Sequence, residues 1–445
     1  MFLSVILDIF NEEVKEMDNK TLIDKMKSEY QTNLPRYQKM KKYYDGKHDI
    51  YTTYKIRKNT ADKATHINWV SKFISEEIAY ALNKPVSYIS KSGNLKFEKA
   101  IAESLEHYDL NHDQKLMREL EIYSLCYCLY YADKHGRMCE RILNPTNAIA
   151  YCDEDGNVIR FIYFYKKKYQ DDEYYNVYYP DGLIEIYRNN VLIDTDNHYL
   201  KCMPVSVCQI EYSETIYAKI KELNDDYNEL ISNQQSLISE FKNAYLTVCD
   251  AEAAGDTIVK ALRDDDAGIL FYPVASAKPE WLIKNINDTA IKNQLDELKE
   301  NLYAQSGHID FNEKLSSNIS GVALQSRLTG LDQRVNMILN PVLNALYNRI
   351  YFLALHLEIQ KNTKFSATDV KIEANVDIPM DIAARINEVV QLGNIVSLQT
   401  RLERLPFIEN PQIEIERLKK EKEELKEIDL DKVDAAYFGS GDLDE

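Results

Sequence analysis

Apolar residues recur at Leu324, Leu328, Leu331, Val335, Ile338, Leu339, Val342, Leu346, Ile350, Leu353 and Leu357. The steps are mostly three and four, the spacing of one face of an α-helix. Read from Gly321 to Ile359, this helix would be roughly 58 Å long at the α-helical rise. Pro341 falls near its middle, where a missing N–H and a ring clash predict a kink. The stretch before it, Gly307 to Ser320, is polar and without period, so it reads as a loop. A second helix is expected from Ile216 to Tyr245, with Leu223, Tyr227, Leu230, Leu237, Phe241 and Tyr245 at 4-3 spacing and Gln234 in the missing slot. That period suits packing on the domain core and packing on a neighbouring subunit equally well. Further helices are expected within Lys20–Lys72, over Leu95–Leu120 and over Asp288–Gln305. Met380–Glu427 reads as helical and highly charged, broken at Gly393 and Pro406, with its last helix starting at Pro411.

From Tyr123 to about Ile210 the period shortens to two. Short Tyr/Ile/Val runs are separated by turn signals at Lys134-His135-Gly136, Asp153-Glu154-Asp155-Gly156-Asn157, Pro180-Asp181-Gly182 and Asn189-Asn190. A β-meander is the natural reading. A small mixed unit follows over Leu246–Ile283, with strands at Tyr245–Cys249, Gly268–Tyr272 and Trp281–Ile283 around the polar Asp264-Asp265-Asp266. Val370–Val376 alternates as one more strand. The chain is therefore expected to be α+β and mostly helical, and no internal repeat is visible.

Composition narrows the function. The 445 residues can bury a real core, and 45% hydrophobic with 28% charged residues is ordinary for a folded protein. The formal net charge is −18, so indiscriminate binding to nucleic acid is not the default. Thirteen glycines are sparse, which suits long helices better than a glycine-rich nucleotide fold. The seven cysteines, Cys126, Cys128, Cys139, Cys152, Cys202, Cys208 and Cys249, are odd in number and scattered. They make no disulfide framework and suggest a reducing, cytoplasmic setting. No apolar run is long enough for a membrane span. Met1 to Phe10 resembles a signal peptide but lacks a basic start and a cleavage site, so it reads as an amphipathic helix or a dispensable extension. The tail after Asp429 is acidic and expected to be loose.

Chemistry-bearing motifs are missing. There is no P-loop, Gly-x-Gly-x-x-Gly, His-Glu-x-x-His or Gly-x-Ser-x-Gly. No catalytic residue, metal ligand or cofactor is assigned. Cys126, Cys128, Cys139, Cys152 and His135 fit no paired zinc knuckle, and Cys126 and Cys128 on one strand face suit small buried hydrophobes. His48-Asp49 and His112-Asp113 read as chance neighbours or helix caps. Asp264, Asp265 and Asp266 read as a solvated turn before a cation site. Lys20–Lys72 holds thirteen Lys/Arg against five Asp/Glu, interleaved with Tyr37, Tyr43, Tyr44, Tyr51 and Tyr54. Nucleic-acid contact is one reading, and electrostatic matching between subunits is the favoured one.

Several collinear segments resemble the portal protein family of tailed bacteriophages, in the branch typical of siphoviruses of Gram-positive hosts. They are Tyr43-Tyr44-Asp45-Gly46-Lys47-His48, Asn83-Lys84-Pro85-Val86, Glu121-Ile122-Tyr123-Ser124-Leu125-Cys126-Tyr127, Leu143-Asn144-Pro145, Ser320-Gly321-Val322-Ala323-Leu324 and Leu405-Pro406-Phe407-Ile408. The similarity spans roughly residues 20–425. At Ser124-Leu125 the chain departs from the family, which often has glycine near this strand start.

The resemblance implies a non-enzymatic ring subunit, dodecameric, at one capsid vertex of the virion and assembled in the host cytoplasm. It implies wing (1–215), stem helix (216–245), clip (246–287), stem helix (288–306), tunnel loop (307–320), long kinked helix with a returning wing strand (321–379), and crown with acidic tail (380–445). Implied partners are further copies of the chain, the terminase large subunit, major capsid and scaffolding proteins, the head-tail connector, and double-stranded DNA passing without sequence specificity. Asn312, Glu313, Lys314, Ser316, Ser317 and Asn318 would face the channel, Pro341 would set the kink, and Asp264, Asp265, Asp266 and Tyr272 would lie in the clip.

Physics is consistent with that picture. DNA carries a charge every ~1.7 Å along its axis, so a strongly basic channel would bind and stall it. In the loop, Glu313 and Lys314 nearly cancel, and Asn312, Ser316, Ser317 and Asn318 offer weak, exchangeable hydrogen bonds. Two alternatives stand beside this reading: another virion structural protein such as a head-tail adaptor, and a metal-dependent nuclease using Asp264, Asp265 and Asp266.

Overall fold

The computed structural model describes residues 19–54, 64–241, 245–249, 269–272, 281–282, 288–310, 321–374, 382–393, 395–405, 408 and 411–423. In chain order the first elements are α1 (Asn19–Tyr44), α2 (Ile50–Thr53), α3 (Trp69–Leu82), β1 (Ser87–Ser90), α4 (Leu95–Leu105) and α5 (His112–Tyr123). Eight strands follow: β2 (Leu125–Ala132), β3 (Met138–Leu143), β4 (Ala148–Cys152), β5 (Val158–Lys166), β6 (Glu173–Tyr178), β7 (Leu183–Arg188), β8 (Val191–Asn197) and β9 (Val205–Gln209). Next come α6 (Ile216–Phe241), β10 (Tyr245–Cys249), β11 (Ile269–Tyr272), β12 (Trp281–Leu282), α7 (Asp288–Ser306) and α8 (Gly321–Lys361). The chain continues through β13 (Val370–Glu373), α9 (Ile382–Leu392), α10 (Leu398–Glu403) and a last helix, α11, over 411–423. The expected mixture of helix and strand is present, and helices predominate.

The expected meander divides. Strands β4 to β8 form a five-stranded antiparallel sheet in sequence order, while β2 pairs with both β3 and the distant β9 in a separate sheet. Two cores explain the division. Tyr127, Leu129, Phe161, Tyr178 and Val205 fill the space between the sheets. Cys126, Cys128 and Tyr130 point the other way, into a larger core with α3, α5 and α8. Strand β2 is thus buried on both faces, which is why it reads as a nearly unbroken apolar run. The five-stranded sheet is covered on its outer face by Ile23, Met26 and Tyr30 of α1, packed on Ile149, Ile162, Tyr175 and Val177. The result is four layers: α1, the five-stranded sheet, the three-stranded sheet, and helices. Edge strand β8 is exposed throughout, but the Asp194 and Asp196 carboxylates accept from the Thr195 and Asn197 N–H groups. Such internal capping blunts an edge against further pairing.

Helix α3 is the hub of the helical layer. Trp69, Val70, Phe73, Ile74, Ile78, Ala81 and Leu82 are buried against α1, α5, α6 and α8. Each such large apolar side chain contributes about 1.5–3 kcal/mol by leaving water. Helix α8 runs 41 residues without interruption through Pro341, or about 62 Å. Helices α6 and α7 lie side by side, Gln305 beside residues 218–223 and Asp296 beside Tyr227, so they are antiparallel.

Helix α6 ends at Phe241, and Tyr245 opens β10, which runs parallel to β11 and antiparallel to β12. The apolar seam expected on α6 is only half-buried at Leu223, Tyr227 and Leu230. Its buried stripe is instead Ile220, Asn224, Asn228 and Ser232, four residues apart and mostly polar. That stripe holds an extended segment, 64–68, by its backbone. The N–H groups of Thr65, Ile67 and Trp69 donate to Ser232 Oγ, Asn228 Oδ1 and Asn224 Oδ1 at 2.9, 2.7 and 3.3 Å. Two residues of extended chain advance ~6.7 Å and four of helix ~6 Å, so the rungs match.

Candidate functional site

The loop expected over 307–320 leaves the described structure after Asp310, and α8 begins at Gly321. Asn312, Glu313, Lys314, Ser316, Ser317 and Asn318 lie outside the described residues, as do Asp264, Asp265 and Asp266. Tyr272 ends β11 with its Cα opposite Cys249, and Pro341 sits half-buried inside α8. Well defined is the base from which residues 311–320 depart.

That base is fastened to α3 on both sides. After α7 the chain turns at Gly307, whose φ of +73° lies in the left-handed region that glycine adopts most easily. The turn brings Gly307 O within reach of Gly330 on α8; a Cβ at Gly330 would stand 3.4 Å from it. His308 follows and is buried. Its ring lies 4.3 Å from that of Phe73, Nε2 is 3.2 Å from Phe73 O, and Nδ1 is 3.1 Å from Ser306 O. Burial lowers its pKa to about 4 against the opposing pull of these carbonyls, so it is neutral at neutral pH. Asp310, the last described residue, is paired with Lys299 and accepts from Tyr303 OH. Tyr303 packs edge-on to Trp69 and Phe73.

On the far side, Arg334 of α8 donates from Nε to Glu77 Oε1 of α3 at 2.6 Å. Glu77 is fully buried, and His308 Nε2 lies 3.6 Å from the same oxygen. Behind it stands Glu121 of α5, also fully buried. Desolvation raises the pKa of both carboxyls; Arg334 opposes this, and the charge of Glu77 pushes Glu121 higher still. Two carboxyls in one dry site cannot both ionise cheaply, so burial and the neighbouring Glu77 charge favour the protonated form of Glu121. Among the described residues, Arg334 Nη1 and Nη2 make no hydrogen bond, and Nη1 only approaches Glu214 at 3.7 Å.

A second buried arginine anchors α8 nearer its C-terminus. Arg349 Nε donates to Glu140 Oε2 at 2.7 Å, and Nη1 donates to Asp113 Oδ1 at 2.7 Å and Tyr88 OH at 3.3 Å. His112 Nε2 meets the same Glu140 oxygen at 2.9 Å. Burial alone would raise the Glu140 pKa, but the Arg349 charge and His112 bring it down to about 2. A cavity of about 630 Å³ opens beside this cluster, lined by Leu82, Pro85, Ile101, Leu105 and His112 among others.

These contacts correct the reading of the two His-Asp pairs. His48 is buried, accepts a contact from Asn224 Nδ2 at 3.0 Å and lies 3.1 Å from Tyr43 O. Asp49 pairs with Lys39 instead. His112 and Asp113 split between Glu140 and Arg349. His48, His112 and Asp113 serve interior networks, whereas the Asp49–Lys39 pair is partly exposed and Asp49 stands at the N-cap position of α2 without a side-chain cap bond. Tyr37 and Tyr43 are also interior, Tyr43 donating to Asp225 at 2.8 Å. Cys126 and Cys128 are buried as expected. Ser124 takes the left-handed turn itself, at φ +64°, as the C-cap of α5.

Sequence reading overlooked Glu77, Glu121, His308, Arg334, Glu140 and Arg349, although a signal was present. Arg334 and Arg349 sit in the apolar stripe of α8, Arg349 between Leu346 and Leu353. Glu77 likewise sits among Phe73, Ile74, Ile78 and Ala81. A charge at a core position of a helix is rarely tolerated unless it is paired.

Residues 23–427 match the family described as phage portal protein, SPP1 Gp6-like. The portal protein of Bacillus phage SPP1 is 21% identical over 425 residues, covering 87% of this chain and 81% of that protein. Among solved structures, a chain of the virion of a native gene transfer agent particle is similar at a TM-score of 0.42 and 9% identity, covering 76% of this chain and 89% of its own length.

Proposed function

The chain belongs to the SPP1 Gp6-like phage portal protein family, and from that premise we propose that it forms the ring through which DNA enters and leaves one capsid vertex. Membership makes it a bacteriophage virion protein with a portal role. The finer reading is ours: twelve copies, a terminase docked for packaging, a head-tail connector docked afterwards, and capsid and scaffolding proteins at the rim. Residues 1–215 would form the wing, 216–245 and 288–306 the stem, 246–287 the clip, and 380–445 the crown. Residues 307–320 would face the channel, backed by the long helix and returning strand of 321–379.

The observation that carries this reading is the base at Gly307–Asp310 and Arg334. A polar stretch of ten residues, 311–320, leaves the fold after Asp310, at a base fastened to α3, and returns at Gly321, thirteen residues before Arg334 grips the same helix. A short segment departing from a rigid helical layer and returning into a long helix suits contact with a passing polymer. Its near-neutral composition limits the electrostatic grip on phosphates. Pro341 withholds an N–H from the Met337 carbonyl, a point at which α8 can bend.

Electron cryomicroscopy of the purified protein tests the architecture. A ring with an axial channel is expected, and any other assembly overturns the proposal. For the loop, Lys314→Ala, or Glu313→Ala joined to a short deletion, is expected to alter packaging or DNA retention. Unchanged packaging and retention would remove residues 312–318 from the channel role.

A further inference from the structure

Three buried side chains at the base of the loop have more donors and acceptors than the present arrangement uses. Arg334 engages Glu77 through Nε alone. Its Nη1 and Nη2, with Glu77 Oε2 and both oxygens of Glu121, lack partners when the carboxyls are counted as acceptors. A proton on Glu121 would supply one bridge between the carboxyls. One Glu121 oxygen and the two terminal nitrogens of Arg334, with four N–H between them, remain unused inside the same cluster. Buried groups left unmade in this way are costly and call for an explanation. Here the unmade groups are complementary to one another, and together they describe a second pairing.

We propose that Arg334 exchanges partners between Glu77 and Glu121 as α8 turns or slides on α3 and α5, making the cluster a two-position latch. In the position seen, Arg334 lies on Glu77; the latch assigns the charge to Glu77 there and the proton to Glu121. In the other, Glu121 is ionised on Arg334 and the proton has crossed the carboxyl–carboxyl hydrogen bond to Glu77. One O–H bond breaks on Glu121 and one forms on Glu77, so charge and atoms balance without any co-reactant. The other charged or titratable groups facing the cluster are His308, Lys72, Glu214, Lys219 and Arg118. Because the proton stays inside the pair, the exchange itself needs no change of pH. Interiors are bistable more readily than they deform continuously, and a small turn of α8 at Arg334 displaces the Gly321 end where the loop re-enters. The latch would therefore set two positions for that end. Its role in DNA passage rests on the portal reading; the partner exchange does not.

Glu77→Gln and Glu121→Gln in the full-length protein test it. With Gln at 77, Arg334 is expected on Glu121 in a cryomicroscopy map. The infrared C=O stretch of a buried protonated carboxyl, present in the wild type, should disappear because Glu121 has ionised. With Gln at 121 the same band should disappear while Arg334 stays on Glu77. Packaging by these rings should then fall several-fold with assembly intact. If Arg334 remains on residue 77 in the Glu77→Gln protein and the Glu121 band persists, the latch is overturned. Should Glu77→Gln fail to fold, a wild-type band unaffected by Glu121→Gln overturns it equally. If the wild type neither forms rings nor passes DNA, the portal reading fails, and the infrared and map results still judge the latch.

Discussion

Helix α8 carries two buried arginines fifteen residues apart, ~22 Å along the axis, and they are held very differently. Arg349 meets Glu140, Asp113 and Tyr88, with an ionised Glu140 whose other neighbour is His112. Arg334 meets Glu77 through one nitrogen and leaves two unengaged. The first is surrounded by elements of the larger core, α5, β1 and β3. The second stands where the chain departs toward residues 311–320. One end of the helix is fixed by charge, and the other is positioned by a contact that has an alternative. A buried ion pair is a poor measure of stability in general; the number of partners around it says more about what it does.

Removing each arginine should separate the two anchors most sharply. Arg349→Met leaves Glu140 and Asp113 without their cation and is expected to cost about 3–5 kcal/mol. Arg334→Met should cost less, because Glu77 can take up a proton in its already dry site. Denaturant unfolding of both variants checks this, and an equal or larger loss at Arg334 breaks the comparison.

Acid offers a second test at the looser end. His308 is held at a pKa of about 4 in the fold against ~6.5 when exposed. The unfolded chain therefore binds the extra proton first, and stability falls as pH drops from about 6.5 toward 4, by about 3 kcal/mol for this group. Glu140, depressed to about 2, adds a loss as pH falls from ~4.5 toward 2. Glu121 acts oppositely, its contribution present at low pH and fading as pH rises through its elevated pKa. Thermal melts from pH 7 to 4 should show a slope that His308→Gln reduces; an unchanged slope would detach His308 from the effect.

Smaller effects sit away from α8. Asn228→Ala removes bonds to both backbone groups of Ile67 and should cost about 1–3 kcal/mol, with faster hydrogen exchange at Ile67. Ser124→Gly should stabilise by about 1 kcal/mol, since a serine there carries the left-handed penalty. A destabilised Ser124→Gly would show that the serine side chain matters more than the turn.

Much of the fold was legible because its signals are local. The stripe from Leu328 to Leu357, the turns at Gly136, Gly156 and Asn189-Asn190, and the three short strands after α6 all declare themselves within a few residues. The pairing of β2 with β9 did not, because it joins residues 125–129 to 205–209 across an entire second sheet. The polar stripe of α6 was hidden for another reason: Asn224, Asn228 and Ser232 look like solvent-facing residues until their partner is known to be main chain. The same holds for Arg334 and Arg349, whose meaning depends on carboxylates from α3, α5 and β3 that no local pattern links to them. Of the proposed channel, clip and kink residues, only the clip's Tyr272 and the kink's Pro341 fall where the fold is described.

The grip of α6 on residues 64–68 has an evolutionary consequence. Asn224, Asn228 and Ser232 bind carbonyls and N–H groups that every amino acid supplies, so their grip reads the extended shape, while the side chains of Thr65, on Gln235, and of Asn68, which caps α3, are held separately. Substitutions at Ala64 and Ile67 can therefore accumulate with little penalty, apart from proline at 67, which would delete a donated N–H. Among related chains, the helix should hold its asparagines and serine while positions 64 and 67 opposite them drift.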